Sequence, residues 1–354
     1  MLKRTRKLRA KLPVNTAALI LTQVNRLYYS GFNSSAGTVL ITPVSATLFI
    51  DGRYYEAAEK ACAGIDVLLQ EELYSQVLNA LKAENIKTLA LETQVKVSDL
   101  FSFTEKLENI NVTAEKWLTD AITAQRSVKS SGELSYIKKA QKIAEKGFNH
   151  ILNFIKPGVS ERDIAAELEY FLNKNGSEGV SFDTIVVSGA NTSLPHGVPG
   201  EKRIKKGDLV TLDFGAVYKN YRSDMTRTVA VGIINDEQQR VYNTVKTAGE
   251  KAAAKLCAGK KACDIDRIAR DEIKKAGYGE YFNHGAGHGV GLEVHEPLSI
   301  SSKSEDIIQK GNVLTIEPGI YLPGRFGVRI EDMFFITENS AENLTSVKRE
   351  IIVV

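Results

Sequence analysis

The sequence has few cysteines and no long hydrophobic run, and these absences exclude two classes of protein. Its 354 residues include three cysteines, Cys62, Cys257 and Cys263, and none of them forms a Cys-x-x-Cys motif. An odd number of cysteines without that spacing predicts reduced thiols and argues against a disulfide framework or a zinc–thiolate site. No apolar run approaches the roughly 18–20 residues that cross a bilayer, so we expect no membrane-spanning segment.

The sequence also lacks a large charge excess. Its formal net charge of +3 at pH 7 does not indicate a nucleic-acid partner. The basic start, MLKRTRKLRAKL, predicts a solvated basic helix that leads into a strand, because its apolar continuation is short and no small-residue cleavage site follows. Since no targeting signal is visible, we expect a cytoplasmic protein.

The length of the chain predicts two domains, because one hydrophobic core rarely extends beyond about 250–300 residues. Over residues 1–125, β-branched segments such as TAALILT (16–22) alternate with helical patterns such as LYSQVLNALKAE (73–84). This alternation predicts a sheet with helical crossovers. The polar, serine-rich segment 123–133 predicts a linker, and a second domain then covers residues 126–354.

The second domain begins with two predicted helices. The first has Ser131 as its expected N-cap and ends before Pro157-Gly158. The second is capped by Ser160, with Asp163 three residues later, and ends at Gly176. From residue 181 onward the pattern changes to strands and hairpins, so the whole chain predicts an α+β fold.

One hairpin places two aspartates on the same face of a β-ribbon. Segment 209–232, LVTLDFGAVYKNYRSDMTRTVAVG, predicts a tight turn at Lys219-Asn220, since asparagine tolerates a positive φ. If the tyrosines that flank this turn pair with each other, Asp213 faces Thr226 and Asp224 lies two residues away on the same face. The two aspartates are then about 7–8 Å apart at the backbone. Taken alone, this hairpin leaves open whether both carboxylates face water or bind a cation.

A second hairpin favours the cation. The sequence LTIEPGIYLPGRFGVRIEDMFF has two strand-like runs around Pro323-Gly324, and Glu317 and Glu331 lie fourteen residues apart about that turn. A loop with an odd number of residues would set them face to face. Two hairpins that each carry a carboxylate pair between apolar strands are not typical of a water-facing surface.

Three of the five histidines lie in HGAGHGVGLEVHE, residues 284–296, together with four glycines. A His-x-x-x-His spacing on a helix would present two zinc ligands, but each glycine costs a helix about 1 kcal/mol relative to alanine. In a strand, His284 and His288 lie about 13 Å apart, so we expect one of them to bind metal and the others to line a substrate cleft. The glycines are expected to let a backbone and a substrate approach closely.

One histidine and four carboxylates form a ligand set for Mn²⁺, Co²⁺, Fe²⁺ or Zn²⁺. Charge balance predicts two ions, because four carboxylates match two divalent cations, whereas a single ion would leave two negative charges in an apolar pocket. We expect the ions to lie about 3.5–4 Å apart with a water or hydroxide between them.

Several motifs resemble those of the dinuclear metallopeptidases called aminopeptidase P and prolidase: TLDFGAVYKNYRSDMTRTVAVG, HGAGHGVGLEVHE, TIEPGIY and GVRIED. NRLYYSGF and FIDGRYYEAA resemble the creatinase-type N-terminal domain, so the resemblance extends along the whole chain. It implies a creatinase-type α/β domain at 1–125 and a pita-bread catalytic domain, the creatinase/aminopeptidase fold, at 126–354.

The resemblance also implies an activity. It is the hydrolysis of Xaa-Pro bonds, in dipeptides or at the N-terminus of longer peptides, by a hydroxide that bridges two divalent metal ions. Mn²⁺ is the expected metal, and the resemblance implies a homodimer.

Carried over position by position, the resemblance assigns roles to nine residues. The implied metal ligands are Asp213, Asp224, His288, Glu317 and Glu331, of which Asp224 and Glu331 would bridge the ions. The implied substrate-facing histidines are His196, His284 and His295. Glu317 would also pass a proton to the leaving nitrogen, and Arg329 would orient the Glu331 carboxylate. Ala286 departs from the family pattern, which more often has a larger residue there.

Three functions remain to be distinguished. The first is an Xaa-Pro peptidase, and the second is another pita-bread enzyme, either methionine aminopeptidase or the metal-free creatinase. The third is a binding module or chaperone that has lost the metal ligands. The N-terminal domain and the complete ligand set argue against the second and third. The choice between dipeptidase and aminopeptidase P stays open, because it depends on how much room lies beyond the proline.

Overall fold

The computed structural model describes residues 2–354, and the chain divides into two compact units, Met1–Arg126 and Ser127–Val354. The first unit contains helices α1 (Leu2–Arg9), α2 (Gln23–Ser30), α3 (Tyr55–Ala61), α4 (Leu73–Ala83), α5 (Val97–Lys106) and α6 (Lys116–Ser127). Its strands are β1 (Thr16–Ile20), β2 (Thr38–Ile41), β3 (Ala46–Ile50), β4 (Asp66–Leu69), β5 (Thr88–Leu91) and β6 (Asn111–Ala114).

The first unit is built around one mixed sheet, with strand order β4-β3-β2-β1-β5-β6. The expected crossovers are confirmed, because the parallel pairs β3/β4 and β5/β6 are joined by helices α3 and α5. The central strand β1, TAALI, is buried along its whole length, as a continuous apolar run in a covered strand requires. The predicted basic helix is α1, which buries Thr5 and Leu8 while most of its basic side chains face outward.

The predicted linker is shorter than expected. Helix α6 continues to Ser127, so residues 123–127 are helical, and its side chains at Ile122 and Arg126 are buried. The expected N-cap was wrong by one residue. Ser130 caps the next helix, and its hydroxyl lies 3.4 Å from the Glu133 amide while the Glu133 carboxylate accepts from the Ser130 amide at 2.9 Å.

The second unit contains helices α7 (Ser131–Ile151), α8 (Glu161–Lys174), α9 (Asp236–Ala253) and α10 (Ala262–Lys275). Its strands are β7 (Ile185–Ser188), β8 (Leu209–Phe214), β9 (Val217–Tyr218), β10 (Tyr221–Arg222), β11 (Met225–Ala230), β12 (Gly287–Gly289), β13 (Glu296–Ile300), β14 (Val313–Ile316), β15 (Gly319–Leu322), β16 (Phe326–Arg329), β17 (Asp332–Ile336) and β18 (Ala341–Asn343). As predicted, Ser160 and Asp163 form a capping box at the start of α8.

Each main sheet of this unit is covered by a pair of helices. Strands β11-β8-β7 form one sheet, and β13-β12-β14-β17-β18 form the other. Helices α7 and α8 pack on the first sheet, through apolar side chains such as Ile143 and Leu168 against Leu212. Helices α9 and α10 pack on the second, for example through Val245 beside Leu314. This helix-covered arrangement of strands confirms the α+β prediction.

Within residues 2–354, the structure contains no helix that is both long enough and apolar enough to span a bilayer. The three cysteines are free thiols, as predicted, and each is partly buried.

Candidate metal centre

A cavity of about 880 Å³ opens in the second unit. All nine residues singled out in the sequence line it: His196, Asp213, Asp224, His284, His288, His295, Glu317, Arg329 and Glu331. Ala286 does not line this cavity, since it is fully buried in the core beside α10.

The first hairpin has the predicted register. Asp213 lies in β8 and pairs with Thr226 of β11, and Asp224 comes directly before β11. The turn residues Lys219 and Asn220 have φ values of 51° and 65°, the left-handed conformation that a tight hairpin turn requires. Both aspartates are buried, so this hairpin does not present them to bulk water.

The second hairpin also has the predicted register. Its loop of three residues, 323–325, is odd-numbered, and the pairs Ile316–Asp332 and Gly319–Arg329 place Glu317 opposite Glu331. The ladder is interrupted at these glutamates, so both lie at strand ends.

Thr226 joins the two hairpins. Its carbonyl oxygen accepts a hydrogen bond from the Glu331 amide at 3.1 Å, and its hydroxyl donates to Glu331 Oε2 at 2.8 Å. One backbone bridge and one side-chain bond therefore fix the second carboxylate pair against the first.

Three residues of the glycine-rich segment, Gly287–Gly289, form strand β12, which lies between β13 and β14. A Cβ atom at Gly287 would lie 2.0 Å from the carbonyl oxygen of Thr315, and a Cβ atom at Gly291 would lie 2.5 Å from the Glu296 carboxylate. The expected close approach of a backbone is confirmed at Gly287, and Gly285 and Gly287 also line the cavity, so room for a substrate beside them stays a prediction. This packing places His288, in the middle of β12, in the cavity wall.

Three candidate ligands meet most closely. Asp224, His288 and Glu331 each offer one ligand atom, and these atoms lie within 4.8 Å of one another. His288 Nε2 is 3.6 Å from Asp224 Oδ2 and 3.5 Å from Glu317 Oε1. Asp213 completes the set from β8, opposite Thr226.

The carboxylates fit a cation because several of their oxygens are buried without a partner. Asp213 Oδ1, Asp224 Oδ1 and Glu331 Oε1 have no hydrogen-bond partner among the described residues. A buried, unpartnered carboxylate oxygen is costly unless a metal ion or a proton occupies it. An oxygen-rich set with one imidazole is suited to the borderline divalent metals named above.

Crowding of these groups changes their proton affinity. Burial and, after it, the charge of Asp213 raise the pKa of Glu331 to about 8. Burial, followed by the charge of Glu331, raises the pKa of both Asp224 and Glu317 well above their ordinary values. The carboxyl groups of Asp224, Glu317 and Glu331 therefore hold protons near neutral pH unless cations balance their charge.

The two histidines of the His-x-x-x-His spacing differ in their contacts. Each has a ring Nδ1 beside the carbonyl oxygen of the following glycine, at 2.8 Å for His284 and 3.1 Å for His288, so Nδ1 carries the proton. Nε2 of His284 lies 3.0 Å from the Tyr321 hydroxyl, whereas Nε2 of His288 faces carboxylates. Burial lowers the pKa of both to about 4, so both rings are neutral at pH 7.

Arg329 contacts Asp213 directly. Its Nη2 donates to Asp213 Oδ2 at 2.5 Å, its Nη1 donates to the Tyr321 hydroxyl at 2.8 Å, and its Nε donates to Thr226 Oγ1 at 3.2 Å. It therefore reaches the Glu331 carboxylate through Thr226. This guanidinium is the cation beside the first carboxylate pair.

The remaining two histidines line the cavity from separate segments. The His295 ring lies edge-on to His288, with 4.3 Å between their centroids. His196 is exposed, on the segment between β7 and β8.

Sequence reasoning missed Tyr321 and Thr226 as parts of the site. A signal for Tyr321 was present, because it lies four residues after Glu317 in a strand-like run and therefore on the same face. Gly319, between them, is needed at that position, since a Cβ atom there would lie 2.5 Å from the Tyr321 hydroxyl.

Two family models match the chain. Residues 4–128 match the Creatinase/Prolidase N-terminal domain, and residues 135–338 match Metallopeptidase family M24.

Individual relatives match along nearly the whole length. The Xaa-Pro dipeptidase of Pyrococcus horikoshii is 43% identical over 95% of this chain and 94% of its own. The structure of an Xaa-Pro dipeptidase from Bacillus anthracis superposes with a TM-score of 0.95, at 37% identity and 99% coverage of both chains. The structure of an X-Pro aminopeptidase from Thermotoga maritima superposes with a TM-score of 0.90, at 37% identity, and the match covers 96% of this chain and 97% of that chain. The fold is therefore the creatinase-type domain followed by the pita-bread domain, and the chain belongs to metallopeptidase family M24.

Proposed function

We propose that this chain hydrolyses the peptide bond before proline with two divalent metal ions held by Asp213, Asp224, His288, Glu317 and Glu331. The observation that carries the proposal is the convergence of Asp224, His288 and Glu331, whose ligand atoms lie within 4.8 Å of one another and whose two carboxylates each keep a buried oxygen without a partner. Asp224 and Glu331, which offer ligand atoms within 4.8 Å of each other and of one from His288, would be shared by the two ions. The chain is an Xaa-Pro metallopeptidase, and its M24 family membership and its full-length Xaa-Pro dipeptidase relatives support this.

When bound, the metal pair supplies a water molecule that is acidic enough to be a nucleophile near neutral pH, together with positive charge beside the reacting carbonyl. His288 binds through Nε2, because its Nδ1 proton is directed at the Gly289 carbonyl. His284 does not bind metal, because its Nε2 accepts from Tyr321.

The remaining groups orient the substrate and move protons. His295 or His196 donates a hydrogen bond to the carbonyl oxygen as negative charge develops on it. Glu317 passes a proton to the departing nitrogen. Its side chain is 19% exposed, against 12% for Asp213 and 5% for Asp224, so it is the most open to the cavity of these three. Arg329 holds Asp213 in place through their ion pair.

The leaving nitrogen of an Xaa-Pro bond carries no hydrogen. A site for this bond therefore accepts the proline ring by shape and does not rely on an amide donor. The names of the relatives support the proline preference of this chain.

The finer features of the proposal have separate tests. We infer that Mn²⁺ is the metal, that the protein is a homodimer and that it is cytoplasmic. Metal analysis of protein purified without added metal tests the first, light scattering tests the second, and cell fractionation tests the third. The free thiols support a reducing compartment. We also propose that residues 1–125 and 126–354 are the two functional domains, which the division after Arg126 supports.

The direct test is a comparison of Mn²⁺-loaded protein on an Xaa-Pro dipeptide and on an Xaa-Pro-Yaa tripeptide. Turnover of the dipeptide alone identifies a prolidase, and turnover of the tripeptide identifies an aminopeptidase. Cleavage of neither, together with less than about one bound ion per chain, would favour a non-catalytic binding module.

A further inference from the structure

Glu161, the first residue of α8, is fully buried and is not among the residues that line the cavity. Its Oε1 accepts hydrogen bonds from the Ser188 amide at 2.7 Å and the Ser188 hydroxyl at 2.8 Å. The side-chain amide of Asn191 lies 3.1 Å from Oε1 and 3.2 Å from Oε2, and the Gly200 amide donates to Oε2 at 3.2 Å. Both oxygens are therefore satisfied by neutral donors, which stabilises a buried charge.

These donors all belong to residues 188–200, which we call the His196 segment. Ser188 and Asn191 lie near its start, and Gly200 is its end, so one carboxylate joins both ends. The backbone amide of Glu161 adds to the closure by donating to the carbonyl oxygen of Lys202 at 3.0 Å.

The His196 segment forms one wall of the cavity, because Pro195, His196, Gly197, Val198 and Pro199 all line it. Its other side is attached to β16. Thr192 Oγ1 accepts from the Gly327 amide at 2.8 Å, and the Pro195 carbonyl accepts from Arg329 Nη1 at 3.1 Å.

The tip of the segment is open. His196 is exposed and Val198 is 83% exposed, so the position of His196 depends on the attachments at the base and side of the segment. The Glu161 carboxylate supplies the attachment at the base.

We propose that Glu161 is a positioning residue that holds His196 over the metal centre. The proposal rests on the proposed function, since it assigns Glu161 to the substrate side of that reaction. Glu161 contacts none of the metal ligands, so its loss should displace His196 and leave metal binding intact.

The first test replaces Glu161 by glutamine, which keeps the shape but can accept through only one atom and places a donor against N–H groups. We expect kcat/KM on an Xaa-Pro substrate to fall roughly tenfold to a hundredfold, because small displacements of a positioned group have effects of that size. Metal content should stay at the wild-type value. The matched control is Glu167→Gln on the same helix, whose partly exposed carboxylate contacts His150 and which should behave like wild type.

A double-mutant cycle separates positioning from general destabilisation. If Glu161 acts through His196, Glu161→Gln should reduce activity little further in a His196→Ala background. An equal fold-loss in both backgrounds, or loss of bound metal in the single variant, would overturn the proposal.

Hydrogen exchange gives a readout that does not depend on activity. Backbone amides of the His196 segment should exchange about tenfold faster or more in Glu161→Gln than in wild type, since a buried charge-assisted network is lost. Unchanged exchange refutes the positioning role even if the wild-type enzyme is active. An inactive wild-type protein with faster exchange in the variant instead refutes only the proposed function.

Should Glu161→Gln not fold, Asn191→Ala removes a single donor from the same carboxylate. It should show the same pattern with a smaller loss. Wild-type activity together with wild-type exchange in that variant also refutes the proposal.

Discussion

At the residue scale, Asp224 is an acidic residue at a position where its ionised form is unfavourable. It is buried beside Glu331, Asp213 and Glu317, and its pKa is raised because burial and these like charges disfavour its ionised form. A residue that serves only stability would not be an aspartate here. Its carboxylate is useful when cations balance the charge, so the cost in stability is tied to metal binding.

Replacement of Asp224 by asparagine should therefore separate function from stability. We expect no detectable peptidase activity, because the bridging carboxylate is lost. The melting temperature of the metal-free variant should equal or exceed that of metal-free wild type, since asparagine is neutral without binding a proton, whereas the buried Asp224 carboxyl must take one up. Activity assays and thermal denaturation after chelation measure the two effects.

The control for this variant is Asp120→Asn, which alters an exposed ion pair with Lys116 and should change neither quantity. Wild-type turnover in Asp224→Asn would show that the bridging assignment is wrong.

The four carboxylates of the site were predictable because their positions depend on local register, whereas the roles of His196, His295 and Arg329 came only from the resemblance to the family. Hairpin pairing fixes which face a residue occupies, so Asp213 and Glu317 could be placed from turn positions alone. Glu161 could not be placed in this way, because its hydrogen-bond partners lie 27 to 39 residues later in the sequence, in a segment without a regular pattern. The direct bond between Arg329 and Asp213 spans 116 residues and was likewise beyond local reasoning.

At the element scale, strand β12 depends on the absence of side chains. Gly287 faces the carbonyl oxygen of Thr315 in β14, and His288 follows it directly. A change at Gly287 therefore acts on both the packing of the sheet and the position of a metal ligand.

We expect Gly287→Ala to lower the free energy of unfolding by about 1–3 kcal/mol or more, because the new Cβ atom overlaps the backbone of β14. Metal affinity should fall as well, since His288 moves with the strand. Chemical denaturation and metal titration test the two effects.

Gly132→Ala is the matched control, because the structure shows nothing within 4 Å of a Cβ atom at Gly132, near the start of α7. It should leave stability unchanged or slightly higher. If the two variants were equally stable, close packing of β12 against β14 could not be the reason for a glycine at position 287.

Two helix boundaries were predicted wrongly from the sequence pattern: the start of α7 and the end of α6. Ser130 and Ser131 are adjacent, and the choice of Ser131 overlooked that Ser130 lies three residues before Glu133, the capping-box spacing. The linker was overextended because residues 123–127 are polar, while burial of Arg126 by tertiary packing keeps them helical.

At the scale of the whole molecule, the metal centre makes stability depend on pH. Consider a carboxyl group whose pKa is higher in the folded protein than in the unfolded chain. Its contribution to stability is fully present at a pH below the pKa of the unfolded chain. This contribution is lost as the pH rises through the pKa of the folded protein. For Glu331 the window runs from about 4.5 to about 8. His284 and His288 have the opposite effect, because the pKa of each is lowered to about 4 in the folded protein. They make stability rise with pH, but only below about pH 6.5.

Metal-free protein should therefore lose stability as pH rises from 6.5 to 8, by up to about 1.4 kcal/mol per pH unit for each carboxyl that stays protonated. Metal-loaded protein should lack this slope, because the ions replace the protons. Thermal denaturation across this range, with and without chelator, measures the difference. In the metal-free Glu331→Gln variant, stability should fall less steeply with pH than in metal-free wild type. A metal-free wild-type protein whose stability rises with pH over this range would contradict this explanation.

The central claim is that five side chains from two hairpins and one glycine-rich strand hold a pair of metal ions. Anomalous diffraction from crystals grown with Mn²⁺ tests it most directly. We expect two peaks about 3.5–4 Å apart, each within bonding distance of the side chains of Asp224 and Glu331. A structure of the Mn²⁺-loaded, active protein with no peak among these five residues would contradict it.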